Sequence, residues 1–247
     1  MRGYGQFCPV AKGAEVFAER WTPLVLRELL GGSTHFCDLH RGVPLMSRTL
    51  LSKRLKQLEA IGVVRRKAGP HGSEYHLTEA GQEFAPIVKA LGEWGQRWYR
   101  TRHRKEDLDV TVLMWDMRRS VRPDAFPGGR ISVEFDFPDL PVSKRHWWLV
   151  SDDGEIDLCP TDPGFDVSLY VTTDLRTMTQ VWMGDLSLRA AIASSHMELD
   201  GRRDLRQHFE RWLGLSEFAA VEPGRSETHA RSAPRHALAR SIAESRS

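Results

Sequence analysis

Between Ser47 and Thr78 the chain reads SRTLLSKRLKQLEAIGVVRRKAGPHGSEYHLT. No other stretch limits the fold as much. Leu50, Leu51, Leu55, Leu58 and Ile61 recur at three- and four-residue steps, which places them on one stripe of an α-helix. Ser47 offers a side-chain oxygen to the free amides of the first turn, and Gly62 ends the run. The opposite face then carries Arg48, Thr49, Ser52, Lys53 and Lys56, with positions 48, 52 and 56 in one row. Arg54 lies nearer the apolar edge, where its stem can cover the core while its head snorkels to water. Residues 63–67 and 74–77 read as two strands, joined by AGPHGS, a loop whose glycines and proline favour a turn. The hairpin is basic, with Arg65, Arg66, Lys67 and His71.

The flanking segments are helical. Pro9 suits the first turn of a helix running through Val10, Ala14 and Phe17. Thr22 is expected to cap the next helix, with Pro23 in its first position and Gly31-Gly32 as its stop. A short helix over residues 35–41 would turn Phe36 and Leu39 inward and hold Cys37 in the core. Thr78 is expected to cap one long helix with Phe84, Ile87, Val88, Leu91, Trp94 and Trp98 in a row.

Helix, turn, helix and basic hairpin, in that order, predict a winged helix-turn-helix. The helix after Ser47 has the width to enter the major groove of DNA. The hydroxyls of Thr49 and Ser52 can come close to bases. Arg48 would read guanine or hold phosphate, and Lys53 and Lys56 would hold phosphate. The hairpin would lie along the adjacent backbone or minor groove. The whole-chain net charge of +2 gives no support for this, so the expectation rests on local clustering. The competing readings are a solvated basic face, or a winged helix used only for protein contacts.

The segments CPVAKGAEVFAERWTPLVLRELLGG, SRTLLSKRLKQLEAIGVVRRK and EYHLTEAGQEFAPIVKALGEWG resemble successive signatures of HxlR-type bacterial transcription regulators, over about residues 7–98. The resemblance implies a homodimer, with the first helix and the long helix after the wing as its interface, and a pseudo-palindromic operator in double-stranded DNA. An apolar stripe extended by Trp94 and Trp98 agrees, since a small wing domain cannot cover it, although it could instead pack on the rest of the chain. Cys8 precedes Pro9 near a helix start, a place that lowers a thiol pKa, and Lys12 is one turn away. The resemblance implies a cysteine at this CP position, which some members use to sense oxidants or electrophiles. The alternative is a small apolar plug at the dimer seam.

From residue 107 the pattern changes. A helix over 107–122 places Val110, Leu113, Met114, Met117 and Val121 on one side. Strands are predicted over 130–137, 145–150, 155–158 and 166–172, with SDDGE as a reversal between the second and third. Asp174 caps a helix that Gly184 stops. A short helix (186–193), a strand (196–199) and a last helix (201–213) follow. An antiparallel sheet carrying helices on one side is α+β. DPGFDVSLYVTTDLRTMTQVWMGDLSLRAAI and MELDGRRDLRQHFERWLGLS resemble the sterol carrier protein fold over about residues 110–218. That resemblance implies an apolar cavity and a hydrophobic small-molecule effector, for which Trp115, Trp147, Trp148, Tyr170, Met178, Trp182 and Met183 would supply the surface. The alternatives are that these side chains fill a core, or that the domain is empty and kept for dimer geometry.

The expected organisation is a DNA-binding and dimerisation domain at 1–104, a sterol carrier protein-like domain at 105–221 and a tail at 222–247. The tail has five arginines and few large apolar residues, so disorder is expected, with a weak helix near 237–243. No catalytic motif is present: GxSxG, P-loop and GxGxxG patterns are absent, and no cofactor is implied. Three widely spaced cysteines form no CxxC pair, and His35 and His40 are five apart, so no metal site is expected. No apolar run reaches membrane-spanning length and the first residues lack the core of a signal peptide, which points to the cytoplasm. The combined expectation is a homodimeric repressor released by a hydrophobic ligand. Its rivals are a redox regulator acting through Cys8, and a lipid carrier whose winged helix serves only protein contacts.

Overall fold

The computed structural model describes residues 3–70, 72–99, 105–126 and 128–224. His71 and most of the expected tail, including the helix near 237–243, therefore lie outside the described residues. Two apolar cores organise the chain, one built from residues before position 90 and one from residues after 107.

The first core is helical. α1 (Pro9–Phe17) starts on its proline and buries no residue fully. α2 (Thr22–Leu30) begins one residue earlier than the sequence suggests. Trp21 takes the cap position in the left-handed conformation, with φ of 76°, and the Thr22 amide closes a turn onto the Glu19 carbonyl at 2.9 Å. Thr22 is thus buried inside the helix instead of capping it, and its hydroxyl finds no partner among the described residues. α3 (Phe36–Gly42) buries Leu39 but exposes Cys37, which projects from the other side of this short helix. The expectation of a core Cys37 is corrected accordingly.

α4 (Arg48–Ala60) is capped as expected, the Ser47 hydroxyl accepting the Leu50 amide at 3.3 Å. Leu51, Leu55 and Leu58 are buried, whereas Ile61 falls past the last turn and is exposed. β1 (Val64–Gly69) and β2 (Gly72–Leu77) form an antiparallel hairpin with Val64 opposite Leu77. The hairpin is anchored partway along β2, where the Tyr75 amide donates to the Thr34 carbonyl at 2.8 Å.

The single long helix expected after Thr78 is two helices, α5 (Glu79–Gln82) and α6 (Ala85–Tyr99). Pro86 is the reason: it has no amide to give the Gln82 carbonyl, and its ring would collide with that carbonyl in a continuous helix. Thr78 still caps, accepting the Gly81 amide at 3.2 Å while donating to the Gly62 carbonyl at 2.6 Å. Val88 and Phe84 of this region pack on the first core. Ile87, Leu91, Trp94 and Trp98 form a row on α6 that is between 44% and 53% exposed.

The second core lies between one face of a sheet and a layer of helices. α7 (Val110–Ser120) is capped by Asp109, whose carboxylate accepts the Thr111 amide at 2.8 Å. β3 (Ile131–Asp136), a single turn α8 (Val142–Arg145), β4 (His146–Asp152), β5 (Glu155–Cys159), β6 (Leu169–Thr173), α9 (Leu175–Trp182), α10 (Leu188–Ala193) and β7 (Met197–Gly201) follow. The expected last helix is broken at His208 into α11 (Arg203–Gln207) and α12 (Phe209–Leu213). The reversal at SDDGE is a two-residue turn with Asp153 and Gly154 both left-handed, which matches the twist of the strands it joins.

The sheet order is β5-β4-β3-β6-β7. It is antiparallel except between β3 and β6, which run parallel. Residues 160–168 must therefore cross the sheet between β5 and β6. Alternation along the strands divides their side chains. Ile131, Val133, Phe135, Trp147, Leu149 and Val171 face the helices and the core. Ser132, Glu134, Trp148, Val150 and Tyr170 take the other face.

Several contacts join the halves among the described residues. α7 packs on α3 and reaches Glu28 of α2, and the segment after α12 returns to α6. There the Phe218 ring occupies the space that a side chain at Gly92 would need, and the Gly224 amide donates to the Arg97 carbonyl at 2.9 Å.

Candidate nucleic-acid interface

The buried leucines of α4 turn its other side outward. Arg48, Thr49, Ser52, Lys53, Lys56, Gln57 and Ala60 line one open groove on that side. Arg48, Thr49, Lys53 and Lys56 are exposed and Ser52 is half-buried. Ser47 is exposed at the head of the helix, with its oxygen engaged by the Leu50 amide. The structure thus brings five of the six expected residues, Arg48, Thr49, Ser52, Lys53 and Lys56, into one groove, with Ser47 outside its lining at the cap. Sequence reasoning missed Gln57, which follows Lys53 by one turn along the same wall. Its polarity beside the basic row was the available signal.

Arg54 has a different fate from its neighbours. It is 5% exposed, and its guanidinium donates to Glu19 Oε1 at 2.9 Å, the Arg20 carbonyl at 3.2 Å and Gln57 Oε1 at 2.9 Å. The head therefore finds protein acceptors and not water, which corrects the snorkelling expectation. The same contact holds the Glu19 carboxyl below its usual pKa range. Arg48, Lys53, Lys56, Arg65 and Lys67 have no ion pair among the described residues. Their charge stays available to a polyanion.

On the wing, Arg65 stands opposite His76, Arg66 opposite Tyr75 and Lys67 opposite Glu74. Arg65 and Lys67 consequently share one face. Arg66 projects from the other and donates to Ser73 Oγ at 2.9 and 2.6 Å. Glu74 sits on the Arg65 face but accepts from His76 at 2.9 Å. The three basic residues therefore do not form one continuous patch.

Cys8 lies half-buried just before α1, with its carbonyl accepting the Lys12 amide at 3.1 Å. Lys12, expected to support the thiol, is instead turned toward Glu15 at 3.1 Å. The Tyr4 amide and then Lys12 hold the Glu15 carboxyl below its usual pKa range.

The seven residues expected to bind a hydrophobic ligand are divided among four places. Trp147, Met178 and Trp182 belong to or pack on the second core, with the Trp147 indole donating to the Lys144 carbonyl at 2.9 Å and that of Trp182 to Ser120 Oγ at 3.1 Å. Met183 is half-buried just past α9. Trp148 and Tyr170 lie on the opposite sheet face, where Trp148 stacks on His146 and Tyr170 is largely exposed. Trp115 sits at the seam between the halves and donates to Glu28 at 3.1 Å. The period-2 alternation of strands makes it impossible for adjacent Trp147 and Trp148 to line one cavity. Among the described residues there is no cluster of three or more metal-ligating side chains, and no helix is long and apolar enough to cross a membrane.

The helix pair, the outward basic face of α4 and the hairpin beside it define a winged helix-turn-helix protein. Residues 16–103 match the model of the HxlR-like helix-turn-helix family. The HTH-type transcriptional regulator YvaP of Bacillus subtilis (strain 168), described as uncharacterized, is 36% identical over 97 residues, 38% of this chain and 90% of that one. A second uncharacterized HTH-type transcriptional regulator, from Methanothermobacter thermautotrophicus, is 33% identical over 94 residues, 37% of this chain and 72% of its own. The chain belongs to the HxlR-like helix-turn-helix family of transcriptional regulators. Among solved structures, the redox regulator HypR in its oxidized form is similar with a TM-score of 0.36 and 30% identity over 39% of this chain and 100% of that one. The reduced form of YodB from B. subtilis follows with a TM-score of 0.33 and 27% identity, over 37% and 94%.

Proposed function

We propose that this regulator is a homodimeric repressor that inserts α4 into the major groove of each half of a pseudo-palindromic operator. One observation carries the reading. Three of the four cations on α4 stay outward beside Thr49 and Ser52 with no ion pair among the described residues, while the fourth, Arg54, is held by Glu19 and fixes the helix in place. Arg65 and Lys67, sharing one face of the wing, would contact backbone phosphates next to the groove. The exposed row on α6, together with Phe7 and Val10 at the start of the chain, offers the apolar surface that a second copy would cover.

Replacing Arg48, Lys53 and Arg65 together by alanine tests the contacting face. In a dimer six cations are lost, so the slope of log affinity against log salt should fall by roughly 5. Circular dichroism should show the fold intact. An unchanged affinity for duplex DNA would reject this face.

We also propose that residues 1–104 and 105–221 are separate domains, the second being sterol carrier protein-like and open to a hydrophobic effector. Support comes from its own apolar core and from the large side chains of Trp147, Met178 and Trp182 on the helix side of the sheet. Native mass spectrometry of the purified chain would detect a retained apolar molecule. The redox reading through Cys8 has the thiol's place at the start of α1 in its favour and the turn of Lys12 toward Glu15 against it.

A further inference from the structure

Glu28, on the inner side of α2, is completely buried, and it does not belong to the apolar core around it. Its Oε1 accepts two hydrogen bonds from Arg27, at 2.8 and 3.1 Å. Its Oε2 accepts the Trp115 indole at 3.1 Å and the Arg119 guanidinium. Trp115 and Arg119 are both on α7, more than eighty residues away in sequence.

Each partner is tied onward. Arg27 donates to the carbonyl of Gly42, the last residue of α3, at 2.9 Å. Any side chain at Gly42 would overlap the Glu28 carboxylate, so only glycine leaves room for the contact. From Gly42 just five residues lead to Arg48, where α4 begins. On the other side Arg118 stacks on Trp115, 4.9 Å from the ring centre, and donates to the Ile156 carbonyl of β5 at 2.9 Å. A continuous polar chain therefore runs from the sheet through α7 and Glu28 to the turn in front of α4.

Stability alone does not explain such a cluster, since apolar residues of equal volume usually hold a core as well as a buried ion pair does. Forked guanidinium contacts do fix relative angles. We infer that this cluster is the joint through which the C-terminal half sets the orientation of α4, with Glu28 and Arg27 as positioning residues and Trp115 and Arg119 as the grip upon them. The inference rests on the reading of α4 as the DNA-contacting helix.

The test uses the full chain and two gentle variants, Trp115→Phe and Arg119→Lys. The first keeps an aromatic side chain, smaller by the pyrrole ring, and loses the indole hydrogen bond, and the second keeps the charge and loses the fork. Without DNA, amide hydrogen exchange over residues 39–50 should rise by about tenfold, the equivalent of losing one hydrogen bond to a charged group, while β3 and β4 stay unchanged. Affinity for a duplex selected by the wild-type chain from a random-sequence pool should fall by a similar factor with the same salt slope, since no outward cation has been touched. Unchanged exchange over residues 39–50, a rise spread evenly over both cores, or unchanged duplex affinity would each overturn the inference. If the wild-type chain selects no duplex, the proposed function fails, whereas the exchange measurement still reports on the joint.

Discussion

Arg54 and Glu19 meet at 2.9 Å where the middle of α4 passes the turn in front of α2. The arginine is buried and the glutamate is half open to solvent, so the pair works as a bolt reaching in from the surface. Arg54→Ala removes donors to Glu19, Gln57 and the Arg20 carbonyl at once, and should cost about 1–3 kcal/mol of unfolding free energy. Lys56→Ala, two positions along the helix and on its outward face, should stay within about 0.5 kcal/mol of wild type yet lower the salt dependence of duplex binding. Urea unfolding of both variants, beside DNA titrations, separates the cation that holds the helix from the one that is free to bind.

The same contact has a pH signature. The Glu19 carboxyl has a lowered pKa in the folded chain, so its contribution is present above the ordinary carboxylate range and is lost as pH falls through the folded value. Glu19→Gln should be less stable than wild type at neutral pH, and the two should converge well below pH ~4. Thermal melts across an acid series measure this.

Asp116 on α7 should behave in the opposite sense. Burial raises its pKa, and the neighbouring Glu28 and Glu217 add to the rise, against the pull of Arg27 and Arg119. A raised folded pKa gives a contribution that is complete below the unfolded value and is lost as pH rises through the folded one. Asp116→Asn is therefore expected to be more stable than wild type at neutral pH, with the gain vanishing in acid. No gain at neutral pH would mean that the Arg119 contact at 3.4 Å outweighs the burial.

How much of this was open to a reader of the sequence differs between the halves. On α4 the leucine stripe and the outward row follow from helical period and the Ser47 cap from its hydroxyl, and the structure places them so. The split of the wing cations followed from strand alternation, but only once the register of Arg65 against His76 was known. In the second half, large aromatic residues marked a core without saying on which side of the sheet each would fall. Adjacent Trp147 and Trp148 had to part, and Trp115 went to Glu28, a partner 87 positions away that no local pattern points to. The break before α6 was legible in Pro86 and was outweighed by the unbroken apolar row across it.

The α6 row gives a prediction about assembly. Trp94 and Leu91 are about half exposed, so a charge there disturbs no core. Leu91→Asp with Trp94→Asp should leave the unfolding free energy of the isolated chain nearly unchanged. Sedimentation should show the variant as a monomer, and duplex affinity should fall to that of a single half-site. A variant that remains dimeric would move the interface elsewhere.

The return of the chain across α6 places a limit on that interface. Phe218 fills the gap left by Gly92, and the Gly224 amide is held by the Arg97 carbonyl beside Trp98. A second copy docking on Trp94 and Trp98, as proposed, would lie next to this crossing segment, so the C-terminal half would border that proposed surface. Gly92→Ala puts a methyl group into the Phe218 ring and should lift the segment, at a cost of about 1–3 kcal/mol. Limited proteolysis should then cut within residues 214–224 of the variant and spare the same segment in wild type. If cleavage is unchanged, the Phe218 contact is too weak to hold the segment on α6.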